Sequence, residues 1–296
     1  MRVAHKIKIA LILFSILDLS VACSYFDDDD ESSETATMSR LVVIPAELSD
    51  NSGIILYDSL IWTINDSGNE PVLYAVDTAT GYIVRRVELS DAQNTDWEEI
   101  AQDENHIYIG DFGNNDGNRT DLRIYKINKS DLSENVITPE IIHFSYEDQT
   151  DFTPAYYDNP YDCESMICTE DTIFLFTKNW TGDYSSSVYK FPAGPGNYQA
   201  VHCGKLNTDG QVTASVYSVS DSRLYLLGYK NYLPFISVFE GYIPGESFEG
   251  NARQYIFSDK LGLQTEGITL TEDGRIIISA EKGIAAPALY QVILGN

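Results

Sequence analysis

One feature constrains this chain more than any other: a repeating unit of short β-type segments. Five apolar cores recur along the sequence, "LIWTIND" (60–66), "HIYIGD" (106–111), "TIFLFTK" (172–178), "RLYLLGYK" (223–230) and "RIIISAE" (275–281). Each follows a short strand-like stretch and a turn rich in Asp, Asn, Ser or Gly ("YDS", "DEN", "TED", "SDS", "EDG"), the residues that reverse a chain at low conformational cost. A third β-type segment comes after each core: "VLYAVD", "RIYKIN", "SVYKFP", "FISVFEG" and "ALYQVI". A fourth closes the first four units: "IVRRVEL", "EIIHFSY", "QAVHCGK" and "ARQYIF". Repeats of four short strands, with no 3.6-residue apolar period, predict an all-β chain built as a β-propeller.

The last unit ends at Asn296 without a fourth strand. An open sheet edge invites edge-to-edge aggregation, so something should cover it. "RLVVIPAEL" at 40–48 alternates as a strand does and is predicted to supply the missing edge. The expectation is a five-bladed propeller of four-stranded blades closed by an N-terminal strand. The alternative is a six-bladed ring with a degenerate blade between the second and third units. That interval, "EDQTDFTPAYYDNPY" (147–161), holds two prolines and little apolar alternation, and it reads as a loop insertion.

The first residues carry Arg2, Lys6 and Lys8, then the apolar run 9–17, then small residues before Cys23. This is the layout of a signal peptide over 1–22 rather than a spanning helix. "LSVAC" (19–23) resembles a bacterial lipobox, which would make Cys23 a lipidated N-terminus on the outer membrane or cell surface. Ser20-Val21-Ala22 also suits ordinary signal peptidase, leaving a periplasmic or secreted protein as the alternative. "SYFDDDDESSETAT" follows, part of an acidic tether over 23–39 that cannot form a core. It is similar to the acidic surface-export signal of Bacteroidota lipoproteins, and a plain solvated spacer would look the same. The domain then spans 40–296, and its contact with a membrane is expected only through the lipid.

Composition removes one class of partner. With 19 Lys plus Arg against 45 Asp plus Glu, the net charge is -26, a field that repels nucleic-acid phosphates. A monomer is expected. If Cys23 carries lipid, Cys163, Cys168 and Cys203 remain, and an odd number leaves at least one free thiol. Cys163 and Cys168 stand five apart and would face opposite sides of one strand, so they read as small buried hydrophobes.

A propeller's first strand in each blade lines the central channel, so a fixed point of the repeat becomes a ring around the axis. Glu98 in "DWEEI", Glu164 in "DCESM" and Glu266 in "TEGIT" occupy that point, with Ser52 in "NSGII" and Thr213 in "VTASV" as the counterparts in the other units. Converging carboxylates repel, and burying them uncompensated costs several kcal/mol each. Two answers stand. A hard cation such as Ca2+ would satisfy many oxygen ligands, or Lys178, Lys230 or water would neutralise the ring. The ends of the second strands place Asp66, Asp111, Lys178, Lys230 and Glu281 in an outer belt of mixed charge. Aromatics gather in the same region: Trp97, Phe112, Trp180, Tyr184, Tyr232, and Phe152, Tyr156, Tyr157 and Tyr161 of the insertion. An acidic mouth rimmed by aromatics suits a glycan or another small polar ligand.

"DWEEIAQDENHIYIGD", "DCESMICTEDTIFLF" and "TEGITLTEDGRIIISAEK", in this order around a Thr/Ser-bearing copy, resemble the SdiA-regulated β-propeller family and its exported bacterial relatives. The resemblance covers nearly all the chain from Arg40. It implies an exported or tethered propeller with acidic residues at Glu98, Glu164 and Glu266 that bind calcium, and it brings no established reaction. The sequence contains no GxSxG or HExxH motif, and its four histidines are not placed for base catalysis. The first reading is therefore a ligand-binding or scaffold module. The alternative is a metal-dependent hydrolase of a phosphoester, lactone or glycoside using the axial carboxylates.

Overall fold

The structure is a computed structural model that describes residues 36–248, 250 and 252–295. The expected signal peptide, Cys23 and the expected tether up to residue 35 lie outside the described residues. In chain order the strands are β1 (Ala36–Val43), β2 (Asn51–Tyr57), β3 (Leu60–Asn65), β4 (Val72–Asp77), β5 (Ile83–Leu89), β6 (Trp97–Gln102), β7 (His106–Asp111), β8 (Arg123–Asn128), β9 (Val136–Ile137), β10 (Glu140–Tyr146) and β11 (Asp162–Thr169). They continue as β12 (Thr172–Lys178), β13 (Ser185–Pro192), β14 (Gly196–Asn207), β15 (Gln211–Ser218), β16 (Arg223–Lys230), β17 (Leu233–Glu240), β18 (Arg253–Ile256), β19 (Thr265–Leu270), β20 (Ile276–Ala280) and β21 (Ala288–Leu294).

Hydrogen bonding assembles them into the sheets β2-β3-β4-β5-β9, β15-β16-β17-β18 and β1-β21-β20-β19, plus one of eight strands. The eight-stranded sheet is two antiparallel runs, β6-β7-β8-β10 and β11-β12-β13-β14, joined where β10 pairs in parallel with β14. β14 bridges the runs because it is long: its residues 196–200 pair with β10, and 201–207 turn to pair with β13. Neither that junction nor the short fifth strand β9 has a periodic sequence signal. The remaining strands follow the repeat closely, and no strand falls within 147–161.

Burial explains why the second strands are the most legible. β3 and β7 are buried at nearly every position because arrays above and below cover both faces, whereas β5 and β10 alternate because one face meets water. Five apolar clusters form between successive arrays. Trp62 and Leu73 meet Ile107 and Tyr125, Tyr108 and Ile124 meet Leu175 and Tyr189, Phe174 and Phe176 meet Leu224 and Leu226, Leu227 and Ile236 meet Ile276 and Ile278, and Ile277 and Leu289 meet Ile54 and Ile61. The inner strands β2, β6, β11, β15 and β19 touch one another in a closed cycle. The chain is thus all-β, with arrays arranged around an axis as in a propeller.

The predicted edge strand is real but starts earlier than Arg40. β1 runs from Ala36, inside the stretch expected to be tether, and pairs antiparallel with β21 from Ala36 opposite Leu294 to Val43 opposite Ala288. Residues 46–48 of the predicted strand form a 3-10 turn instead, directly after Pro45, where a ring nitrogen cannot donate to a ladder.

Candidate functional site

Each inner strand carries one irregularity in its pairing with the next strand, between Ser52 and Ile54, Trp97 and Glu99, Cys163 and Ser165, Val212 and Ala214, and Thr265 and Gly267. The extra residues are therefore Gly53, Glu98, Glu164, Thr213 and Glu266. A bulge inserts one unpaired residue and re-aims side chains locally, so the repeat places these five positions at one level around the axis. The counterpart of Glu98 in the first unit is Gly53 and not Ser52. Gly53 has φ +47, and a Cβ there would lie 2.6 Å from both Glu99 Oε1 and the Ile100 nitrogen. No glutamate could stand at that point.

A cleft of about 320 Å3 opens at this end of the axis. Glu98, Glu164, Glu266, Asp66, Lys178, Glu281 and Ser52 all line it, together with Asp96, Asn115, Tyr157, Tyr229 and Gln264. The three distant glutamates do converge. Four other expected residues are placed differently. Thr213 is buried, and its hydroxyl donates to the Thr265 carbonyl (2.7 Å) on the neighbouring inner strand. Ser52 makes the same kind of tie to the Glu98 carbonyl. Asp111 is buried away from the cleft between Arg119 (3.1 Å) and Arg123 (3.3 Å). Lys230 pairs with Asp209 at 2.5 Å. Trp180 stands behind the lining, its Nε1 donating to Asp162 Oδ2 (2.6 Å).

The reason is register. The residues following the pairing partners Ile64, Asp111, Thr177, Gly228 and Ala280 are Asn65, Phe112, Lys178, Tyr229 and Glu281. Asp111 is one residue before this level and Lys230 one after it. A slip of one residue moves a side chain to the opposite face of a strand. Tyr229, not Lys230, is the counterpart of Lys178 and lines the cleft, while Trp97 and Phe112 are fully buried packing. Asp66 reaches the cleft from the turn after β3.

Asp96 and Asp162 carry a signal in the sequence. Each stands two residues before a bulged glutamate, in Asp96-x-Glu98 and Asp162-x-Glu164, and residues i and i+2 share a strand face. Asp162 is satisfied, accepting from Trp180 and from the Asn114 N–H (2.6 Å). Glu164 is satisfied by Lys178, whose Nζ lies 3.0 Å from Oε1. Asp66, Asp96 and Glu98 have no such cation. Each presents a carboxylate oxygen within 4.8 Å of the others. Glu98 is only 7% exposed, and among the described residues no side chain or N–H donates to its carboxylate.

These groups shift as their surroundings require. Burial, reinforced by Asp66 and Asp162, pushes Asp96 up to about 7. Burial, and then the charge of Glu164, drives Glu98 well above the ordinary carboxylate range. Burial likewise raises Asp66 and carries Glu266 to about 7, with Lys178 opposing in both cases. Glu281 rises to about 8 through burial and the charges of Glu266 and Asp66. Lys178 is held protonated: burial acts against its charge, but Glu164, Tyr229 and Glu266 more than offset it.

Beneath the cleft lies a residue that periodicity could not reveal. Glu99 follows the bulge on β6, is 1% exposed, and reaches across the axis to β15. Its Oε1 accepts from the Ile100 N–H (3.0 Å) and its Oε2 from the Ser215 N–H (3.1 Å). β6 and β15 are not neighbours in the cycle of inner strands, so this carboxylate ties opposite sides of the ring. Below it, Ile54, Ile100, Met166, Ile167, Val216 and Ile268 help line a separate chamber of about 220 Å3.

The ring of arrays and the axial cleft define a β-propeller-like fold. Among solved structures, the chain is similar to the soluble aldose sugar dehydrogenase of Escherichia coli in its apo form, at a TM-score of 0.52 and 10% identity, covering 88% of this chain and 99% of that one. It is also similar to a glucose dehydrogenase (TM-score 0.48, 7% identity, 86% and 98% covered) and to a putative exported protein of Bacteroides fragilis (0.44, 10%, 92% and 98%). At these identities the likeness concerns the fold alone. No family model matches the chain, and no curated protein does. No helix among the described residues is long and apolar enough to cross a membrane.

Proposed function

We propose that this chain is an exported five-bladed propeller of the SdiA-regulated kind, anchored through lipidated Cys23 at the outer membrane or cell surface, whose channel mouth binds a small polar ligand around a calcium ion. Asp66, Asp96 and Glu98 would hold the ion, a set that shares only Glu98 with the trio Glu98, Glu164 and Glu266 expected from the repeat. Glu164 is already neutralised by Lys178, and Glu266 is not among the carboxylates whose oxygens lie within 4.8 Å of one another. The observation that carries the reading is the buried Glu98 carboxylate with no protein partner, facing two further carboxylates. A buried, unpaired anion costs several kcal/mol, and a hard cation with oxygen ligands removes that cost.

Calcium added to EDTA-treated protein is expected to raise its melting temperature, with about 2.7 kcal/mol of stabilisation at a hundredfold excess over Kd. Glu98→Gln should abolish the rise. Equal curves with and without calcium in the native protein would refute the site.

Gly113 supplies a second, independent check. A Cβ at this position would lie 2.3 Å from Glu98 Oε1 and 2.4 Å from Asp96 Oδ2, closer than any real contact. Gly113→Ala should therefore push both carboxylates apart and weaken calcium binding by about tenfold or more, roughly 1.4 kcal/mol, as read by isothermal calorimetry. Unchanged affinity would show that these two oxygens do not share the ion.

A further inference from the structure

We infer that the ligand of the channel mouth is a carbohydrate, whose ring lies on the exposed end of a stack formed by Tyr156, Tyr157 and Trp180. The inference deepens the ligand-binding reading and rests on it for the location of the site. Its own support is the insertion between β10 and β11, the longest interval between strands among the described residues. That segment exposes Phe152, Tyr156 (64%) and Tyr157 (45%). Large exposed aromatics gathered on one loop beside a cleft mark a binding surface more often than packing left incomplete.

The platform is built rather than incidental. The rings form a stack, with centroids 3.9 Å apart between Tyr156 and Tyr157 and 4.3 Å between Tyr157 and Trp180, so the outer face of the exposed Tyr156 is the one open to a sugar. Trp180 is pinned through Asp162. The insertion is tied down where Gln149 Nε2 donates to the Gly117 carbonyl (2.7 Å), Asn159 Nδ2 to the Asn115 carbonyl (3.0 Å), and the Tyr157 N–H to the same carbonyl (3.1 Å). Tyr157 holds φ +53, a left-handed conformation uncommon for a bulky side chain. Backbone strain of this kind persists where the surroundings enforce it, and it gathers at functional sites. A surface already ordered loses little entropy on binding.

The chemistry then selects the ligand class. A sugar offers C–H faces to aromatic rings and hydroxyl donors to acceptors, and Tyr157 lines the same cleft as Asp96, Glu266 and Asn115. A hard cation takes six to eight oxygen ligands, so three carboxylate side chains leave places for neutral oxygens such as a pair of hydroxyls. An organic cation fits less well. The position over the rings nearest the acidic wall is already held by Lys178, whose Nζ lies 5.0 Å from the Trp180 centroid and 5.3 Å from that of Tyr229.

The test is a glycan array probed with the full chain in calcium, followed by calorimetry on the best-retained oligosaccharide. Tyr156→Ala and Tyr157→Ala are both expected to weaken that oligosaccharide about tenfold, while in Tyr156→Ala, outside the cleft lining, calcium affinity measured without sugar stays within about twofold of native. No retained glycan on a protein that binds calcium would overturn the carbohydrate inference and leave the cation site intact. Glycan affinity unchanged in both variants would overturn the platform. Glycan binding equally strong in EDTA would support the platform and refute the cation's part in recognition. Displacement of the glycan by choline or spermidine at equal concentration would overturn the choice of a neutral polyol.

Discussion

Glu99→Ala is expected to lower the unfolding free energy by about 3–5 kcal/mol, because it strands two buried backbone donors and removes the tie across the axis. The Ile100 and Ser215 N–H groups lose their acceptor at a place where Glu99 is 1% exposed. Each unsatisfied donor costs about 1–3 kcal/mol, and the vacated side-chain volume adds a cavity cost. For a chain of this size the melting temperature should fall by roughly 10 °C. Glu99→Gln keeps one acceptor oxygen but turns an amide N–H2 toward the second donor, so about half that loss is expected. Urea unfolding followed by far-ultraviolet circular dichroism measures both. An alanine variant within 1 kcal/mol of native would show that the ring closes without this carboxylate.

A second large effect is expected from pH. Asp96, Glu266 and Glu281 are raised to about 7, about 7 and about 8 in the folded state, and Asp66 and Glu98 are raised as well. A carboxyl raised on folding binds its proton more tightly in the native state than in the unfolded chain. Its contribution is therefore fully present below the unfolded value and is lost as pH rises through the folded one. Calcium-free protein should be most stable near pH 5 and lose stability up to about pH 8, by an amount on the order of 3–5 kcal/mol once mutual repulsion among the groups is allowed for. A bound divalent cation replaces the protons, so calcium should flatten this slope and stabilise far more at pH 8 than at pH 5. Melting curves in EDTA and in calcium at the two values decide it. A calcium-free protein that gains stability from pH 5 to pH 8 would contradict the buried, unpaired state of the cluster.

The convergence of Glu98, Glu164 and Glu266 was readable because a repeat converts sequence spacing into angular position. Glu99 was not. It stands next to Glu98 in the chain, and simple alternation would turn it away from the axis. Only the bulge lets both neighbours serve the interior, and bulges leave no periodic trace. The same feature misplaced Ser52, Asp111 and Lys230 by one residue each. It also hid Tyr229, whereas the Asp96-x-Glu98 pairing obeys the two-residue period of a strand and is readable from the sequence.

What the sequence determined on its own was the set of local elements and their order. Alternating and doubly buried apolar runs select strands, turn residues set their ends, and an unpaired last unit calls for an N-terminal partner, here β1 against β21. What only the tertiary structure decided was which carboxylates are neutralised and which are left alone. Lys178 reaches Glu164 while Asp66, Asp96 and Glu98 face one another without a cation. That outcome depends on displacements of a few ångströms between side chains far apart in sequence, and electrostatic energy at such distances changes steeply with each of them.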